Sequence, residues 1–537
     1  MVSKNSAIST LLKDKNNECF INFFKNFELK SSLSVISNAS WSIEASTFYA
    51  FKNIDNSIIS QIKTYINQFI LAYLANILLI SSDSKHKKLS LKNFTIKEFA
   101  TICSCYLNNL KEPLIEDKNV NELLVRAKYE QFNFNICEAY CIARPYLFYK
   151  KYDEKLSLGL NEIFFEKTNL TIDRFFHIAY TFYLIFMVNF VSSTFYKKDL
   201  INICKNPAIS ISEQEIENFL EISSCSITDF KKYDIDKNLQ DVGSKYKFNV
   251  LNQFPIIKLT NNQYSIPNKT IYIRQICDLY WKFDNNFIPD NKFKESYFDK
   301  IFDFYVGNLL KSIFGDENVE KKQYRKNGSD AEFFDWIVKD RTNNVLYMFE
   351  CKGYQLNIEN IKTGSLGSQY TTKFINKPIA QMYQRLKDLS DNSKYKDLDE
   401  LRHFSKRIPI AIYYDIPFAS GDIHKKNIKS IIESKDFEKK YITNKDKIIR
   451  KIINQNELND FVNFKYELLS IEDLERLQGV KIENTKSILN IFEQLGKEEN
   501  DMEKMEFILT KRINNDLIKV PILDSIFIEF SNLKNEI

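Results

Sequence analysis

Asp335, Glu350 and Lys352 are the residues of this 537-residue chain whose types and spacing are best suited to chemistry. They lie in a stretch where two apolar runs, Phe333 to Lys339 and Val345 to Lys352, flank the polar segment 340–344. That pattern predicts a β-hairpin. Strand side chains alternate faces, so Glu350 and Lys352 share one face and Cys351 takes the other. With the tip at Thr342-Asn343, Asp335 falls opposite Glu350, and opposed residues share a face. A slip of one residue would turn Asp335 away, so the convergence of the three charges depends on the register. Two neighbouring carboxylates repel and raise each other's pKa values, a conflict that a divalent cation removes. Oxygen ligands with retained waters suit Mg²⁺ or Mn²⁺. Such an ion polarises a phosphoryl oxygen and acidifies bound water, while Lys352 orients that water or meets charge developing on phosphorus. The constellation suits phosphodiester hydrolysis.

The surrounding elements have to hold these side chains. Phe298, Ile301, Phe302, Tyr305, Val306, Leu309, Leu310 and Ile313 recur at helical spacing, and Gly315 ends the run. Val319 to Arg325 reads as a strand, followed by the hairpin. A polar loop over 353–374 precedes a helix from Lys377 to Leu389, with Ile379, Met382, Tyr383, Leu386 and Leu389 inward. Ile408 to Asp415 reads as a buried strand. The order is helix, three strands, helix, strand.

Residues 291 to 418, about a quarter of the chain, thereby resemble the core of the PD-(D/E)xK, or restriction-endonuclease-like, nuclease superfamily. The resemblance implies an αβββαβ fold, with Asp335 and Glu350 as metal-binding acids and Lys352 as the water-positioning lysine. It further implies the backbone carbonyl of Cys351 as a metal ligand. The acid that many members carry on the first helix is matched conservatively by Asp303, in Phe302-Asp303-Phe304-Tyr305-Val306. Phe334 stands where the family has proline. By the same analogy, Lys377, Gln381, Gln384 and Arg385 on the second helix contact the nucleic-acid backbone. Lys322 and Arg325, with Lys321 and Lys326, form a basic cluster that could meet phosphate. Tyr324 and Tyr354 could stack on bases. Asp330 and Glu332 could bind a second metal; the competing reading makes them an exposed turn, and the lysines and the helix face ordinary solvated surface.

Composition sets outer limits. An apolar content of 44% and aromatic content of 14% exclude a disordered chain. The net charge of +5 is no global signature for nucleic acid, so any such binding needs a local patch. Lys, Asn and Ile are abundant beside only 11 Gly and 10 Pro, the bias of an AT-rich gene, which lowers the information in single lysines. Nine scattered cysteines without a signal peptide lead us to expect reduced thiols and a cytoplasmic protein. Cys137 and Cys141 are spaced like zinc ligands, but no second pair and none of the four histidines lies near them in sequence. The apolar runs Phe69 to Ile80 and Phe175 to Val191 are too short or too interrupted to span a membrane.

Overall, the expected class is α+β, with four regions. Residues 1–240 form a large helical domain, and 241–290 a hairpin-and-helix connector with strand Phe254 to Leu259, a turn over 260–263 and a linker over 284–291. Residues 291–420 form the nuclease-like core, and 421–537 a helical C-terminal region with a capping box at Ser470 and Asp473. The function expected is a Mg²⁺- or Mn²⁺-dependent nuclease, DNA favoured, in bacterial defence or restriction. The N-terminal domain would receive a target, protein partner or activator, and a homo-oligomer stays open. No phosphate loop is present, so any ATP-driven translocation belongs to another polypeptide. Two alternatives stand: a catalytically silent nuclease-like scaffold or nucleic-acid-binding subunit, and a helical regulatory protein in which the motif is coincidental.

Overall fold

The computed structural model describes residues 11, 22–42, 66, 68–81, 89–109, 138–188, 194–205, 210–235, 249–288, 292–326, 328–353, 355, 377–414, 460–461, 464–483, 523 and 525. Cys137, Tyr354, Asp415, most of the 353–374 loop and most of 421–537 lie outside them. The chain forms two compact units, 1–283 with 525–537, and 284–524. The division falls at the start of the 284–291 stretch read as a linker.

The first unit is mainly helical. The two apolar runs tested as membrane spans form helices Gln68–Ser81 and Ile172–Val188. Ile70, Leu71, Leu74, Leu78, Phe175, Phe176 and Phe182 are buried in them, and no described helix is long and apolar enough to cross a membrane. Helix α1 (Leu29–Ser42) lies against Gln68–Ser81. Two short strands stand among the helices expected for 1–240. Strand β1 (Thr194–Tyr196), which leads into α2 (Lys197–Cys204), and strand β2 (Ser224–Ser226) join β3 (Ile256–Thr260) and β4 (Gln263–Ser265) in a four-stranded sheet of order β1-β4-β3-β2. The β3–β4 hairpin turns at Asn261-Asn262, as the sequence predicts. β1 and β2 have three residues each, too few to display a two-residue period. They exist because β3 and β4 offer unpaired edges.

The second unit carries the hairpin. Helix α3 (Asp299–Phe314) buries Ile301, Phe302, Tyr305, Val306, Leu309, Leu310 and Ile313, with Phe298 buried just before it. Gly315, at φ 88°, closes the helix by donating its N–H to the Lys311 carbonyl at 2.8 Å. The segment Val319 to Arg325 is two strands, not one. β5 (Val319–Glu320) pairs with β8 (Trp336–Asp340), and β6 (Gln323–Lys326) pairs with β7 (Ser329–Glu332) in a separate ribbon. Asp330 and Glu332 are therefore exposed strand residues, not turn residues. The ribbon is tied down by Asp388, a buried carboxylate on α4 (Lys377–Ser390) that accepts from Tyr324 Oη at 2.6 Å, Lys326 Nζ at 2.5 Å and Gln384 Nε2 at 3.2 Å.

The main sheet runs β11-β10-β9-β8-β5. β9 (Val345–Lys352) is central, antiparallel to β8 and parallel to β10 (Lys406–Tyr413). A parallel pair needs a crossover, and α4 lies within that connection. β11 (Glu467–Ser470) adds a parallel strand beside β10, which corrects the helical expectation for part of 421–537. It leads into α5 (Ile471–Glu483) through a box in which Ser470 Oγ accepts from Asp473 N–H at 3.1 Å and Asp473 accepts from Ser470 N–H at 2.9 Å. α5 seals α3: Tyr305 Oη donates to Glu475 at 2.6 Å and Gln478 Nε2 to Ser312 Oγ at 2.8 Å.

Gly307 shows how closely α3 packs on the hairpin. A Cβ there would overlap the Trp336 indole. Gly307→Val is expected to cost about 1–3 kcal/mol by overpacking, measured as a lowered urea midpoint with unchanged slope. An unshifted midpoint would show that the indole has room to move.

Candidate active site

The hairpin turn decides the site. Arg341–Asn344 connect the strands, Asn344 adopts the left-handed conformation at φ 55°, and Asp340 accepts from the Asn343 backbone N–H at 3.0 Å and its Nδ2 at 2.8 Å. Asp340 then faces Val345, and the pairing runs without a bulge to Trp336 and Phe349. This is the register read from the sequence, but the paired ladder stops there, one residue short of Asp335 and Glu350. β8 has just ended there, so Asp335 is free to turn its carboxylate onto the neighbouring strand. Its Oδ2 accepts the Cys351 backbone N–H at 2.5 Å. Its Oδ1 accepts no hydrogen bond from the described residues.

Glu350, 2% exposed, sits at the carboxyl end of the central strand, beside Ala411 of β10. Lys352 Nζ donates to its Oε1 at 2.7 Å, and the Arg385 guanidinium pairs with its Oε2. That guanidinium lies 5.3 Å from the centroid of the Phe334 ring, which orients it from the other side. The electrostatics split the two acids. Burial, then the charge of Glu350, pushes Asp335 up to about 7, against the pull of Lys352 and Arg385. Burial also raises Glu350, but Lys352 and Arg385 outweigh it and hold that carboxyl below its ordinary range. Burial lowers Lys352, yet Glu350 and Asp335 together hold it above the usual lysine value. Lys352 is therefore a fixed cation and not a proton acceptor, and Asp335 is the acid poised to change charge near neutrality. The Cys351 thiol, raised first by burial and then by Asp335, is no nucleophile.

Asp303 lies close enough for its charge to act on Cys351, but both of its carboxylate oxygens are engaged by other partners. Its Oδ1 accepts from Trp336 Nε1 at 2.9 Å and its Oδ2 from Lys321 at 2.6 Å, with that ammonium 4.8 Å from the indole centroid. The helix acid beside the site is Asp299, one turn earlier. It feels the Lys352 charge, pairs with Lys294 at 2.7 Å, and its Oδ1 would lie 3.0 Å from a Cβ at Gly353. Sequence reading missed Asp299 because helical spacing tells which side faces the sheet but not which turn meets the strand end.

The proposed nucleic-acid contacts separate similarly. Arg385 belongs to the site itself. Lys377 and Gln381 are half-buried on α4. Lys322 pairs with Glu400 at 2.5 Å, Lys321 with Asp303, and Lys326 with Asp388. Arg325 is 82% exposed and 3.9 Å from Asp330. The basic cluster is thus interleaved with acids and is no continuous positive patch.

Among the described residues, no three His, Cys, Asp or Glu side chains stand close enough to hold a metal by themselves. The donor set that fits an ion is smaller: the bare Oδ1 of Asp335, a carboxylate oxygen of Glu350, and water. It is an all-oxygen set, suited to Mg²⁺ or Mn²⁺. Comparison of the chain with protein-family models, curated proteins and solved structures returns no match.

Proposed function

We propose that the second unit is a metal-dependent nuclease, hydrolysing phosphodiester bonds most naturally in DNA. The observation that carries the reading is that Glu350 and Lys352 end β9, parallel to β10, with Asp335, just ahead of the antiparallel β8, bonded to the Cys351 N–H between them. The element order around them (helix, strand, hairpin, helix, strand) supports the resemblance to PD-(D/E)xK nucleases. Asp335 and Glu350 would hold Mg²⁺ or Mn²⁺. The Cys351 carbonyl is a third candidate, since N–H and C=O of one strand residue point to the same side and its N–H already reaches Asp335. The ion, when bound, supplies Lewis acidity and an acidified water. The chain's own contribution is charge and placement. Lys352 and Arg385, both cationic, would face the phosphate and meet the charge that builds on its oxygens. Asp299, near Lys352, would fix the ammonium from the helix side.

The test is incubation of the full chain with plasmid, single-stranded DNA and RNA in Mg²⁺, Mn²⁺ or EDTA. Cleavage that persists in EDTA sinks the metal site. A second reading, a silent nuclease-like binding subunit, draws on one observation: Glu350 is already paired by both Lys352 and Arg385. Binding without cleavage of any substrate would favour it.

The acid pair also predicts pH behaviour. The folded value of Asp335, about 7, exceeds the ordinary 3.8 of an unfolded Asp, so the folded chain holds this proton more tightly. Its stabilising contribution is complete below about pH 4 and is lost as pH rises toward about 7. In EDTA, the wild-type melting temperature should therefore fall more between pH 4.5 and 7.5 than that of Asp335→Asn. Mg²⁺ should stabilise the wild type more at pH 8 than at pH 5, where protons compete for the same oxygen. Parallel profiles for the two proteins would refute the assignment.

A further inference from the structure

Two lysines approach the exposed ring of Tyr196 in the first unit, and neither pairs with an acid among the described residues. Tyr196 ends β1, an outer strand of its sheet, and is 42% exposed. Lys30 Nζ, from α1, lies 5.6 Å from the ring centroid, and Lys198 Nζ, from α2, lies 5.7 Å away. Neither ammonium has an ion-pair partner among the described residues. The intervening Lys197 turns aside to Glu217 at 2.5 Å, so the pairing of Lys30 and Lys198 with the ring is selective. The other cations over rings among the described residues are committed to structure: Lys269 over Tyr183 is itself buried, Lys151 lies over the buried Tyr146, whose hydroxyl donates to Asp173, and Lys321, Lys326 and Arg385 are held by acids.

An exposed aromatic face flanked by free cations is complementary to a polymer that alternates flat π-faces with negative charge. We infer that Tyr196, Lys30 and Lys198 form a docking site for single-stranded DNA. A base stacks on the Tyr196 ring, and the two ammonium groups, on flexible stems, move to the phosphates on either side. Duplex DNA offers no free base face to the ring, which selects the single strand. The choice of DNA rests on the nuclease reading of the second unit, but the site needs no metal.

The experiment is fluorescence anisotropy of labelled (dT)20 with the full chain in EDTA, where metal-dependent cleavage cannot interfere. Tyr196→Ala should weaken binding roughly 5- to 150-fold, the range for one stacked base, and Tyr196→Phe should keep wild-type affinity. Lys30→Gln with Lys198→Gln should reduce the slope of log affinity against log salt by about 1.4, the value for two phosphate contacts on a single strand. The inference is overturned if (dT)20 does not bind, if Tyr196→Ala binds within twofold of wild type, or if duplex DNA or (rU)20 binds more tightly. Metal-dependent cleavage without Tyr196-dependent binding would sink this inference alone. Tyr196-dependent binding with no cleavage of any substrate would sink the nuclease reading alone.

Discussion

Asn in place of Asp335 is expected to lower Mg²⁺-dependent cleavage of plasmid DNA by at least about 100-fold, because a metal-held transition-state charge is worth several kcal/mol. The substitution keeps an oxygen that can accept the Cys351 N–H, so the turn of the chain at the end of β8 should survive. It removes the carboxylate that Glu350 and burial make costly to ionise. The variant should therefore melt no lower than wild type at pH 7.5 in EDTA while losing its stabilisation by Mg²⁺. That combination separates a lost ligand from a lost fold. Lys352→Ala should reduce cleavage by about 10²–10³, the range for deleting one preorganised electrostatic donor. Glu350 keeps Arg385 as counter-ion in that variant, so metal-induced stabilisation should persist. Cleavage at wild-type rate in both variants would place the activity, if any, outside this site.

The second large effect concerns the end of the core. A chain ending at residue 420 contains every element of the sequence-derived nuclease core but lacks β11 and α5. Phe461, Phe464, Tyr466, Leu469, Ile471, Leu474 and Leu477 are buried in the intact protein. At about 1.5–3 kcal/mol per buried large side chain, their loss removes on the order of 10 kcal/mol. That is comparable with the whole stability of a typical domain. Truncation also uncovers one edge of β10 and strips Tyr305 of its partner Glu475. The truncated chain is expected to lose the cooperative thermal transition of the second unit and to have that unit digested rapidly by trypsin, whereas the full chain should keep it. A stable, cooperative protein ending at 420 would show that β11 and α5 are appended and not integral.

The hairpin and its charges were legible because the information is local. Two apolar runs and a five-residue polar turn containing Asp340 and Asn344 leave one register that buries Val345 to Phe349. That register, with the Asp335 carboxylate turned onto the Cys351 N–H, brings Asp335 within reach of the Glu350 charge. The stripe of α3 was equally legible, since eight apolar residues at helical spacing permit one inward face. β1, β2 and β11 escaped because strands of three or four residues acquire meaning only beside a partner edge. β6 and β7 escaped because their ribbon is anchored through Tyr324 and Lys326 to Asp388, more than sixty residues away.

Which side chains share a strand face, and how far along the hairpin they lie, is encoded locally, because alternation and turn chemistry act over a few residues. What surrounds them is set by contacts between distant parts of the chain. The phase and depth of a helix against a sheet depend on packing of residues distant in the chain. That packing brings Arg385 from α4 to Glu350 and puts Asp299, rather than Asp303, beside Lys352.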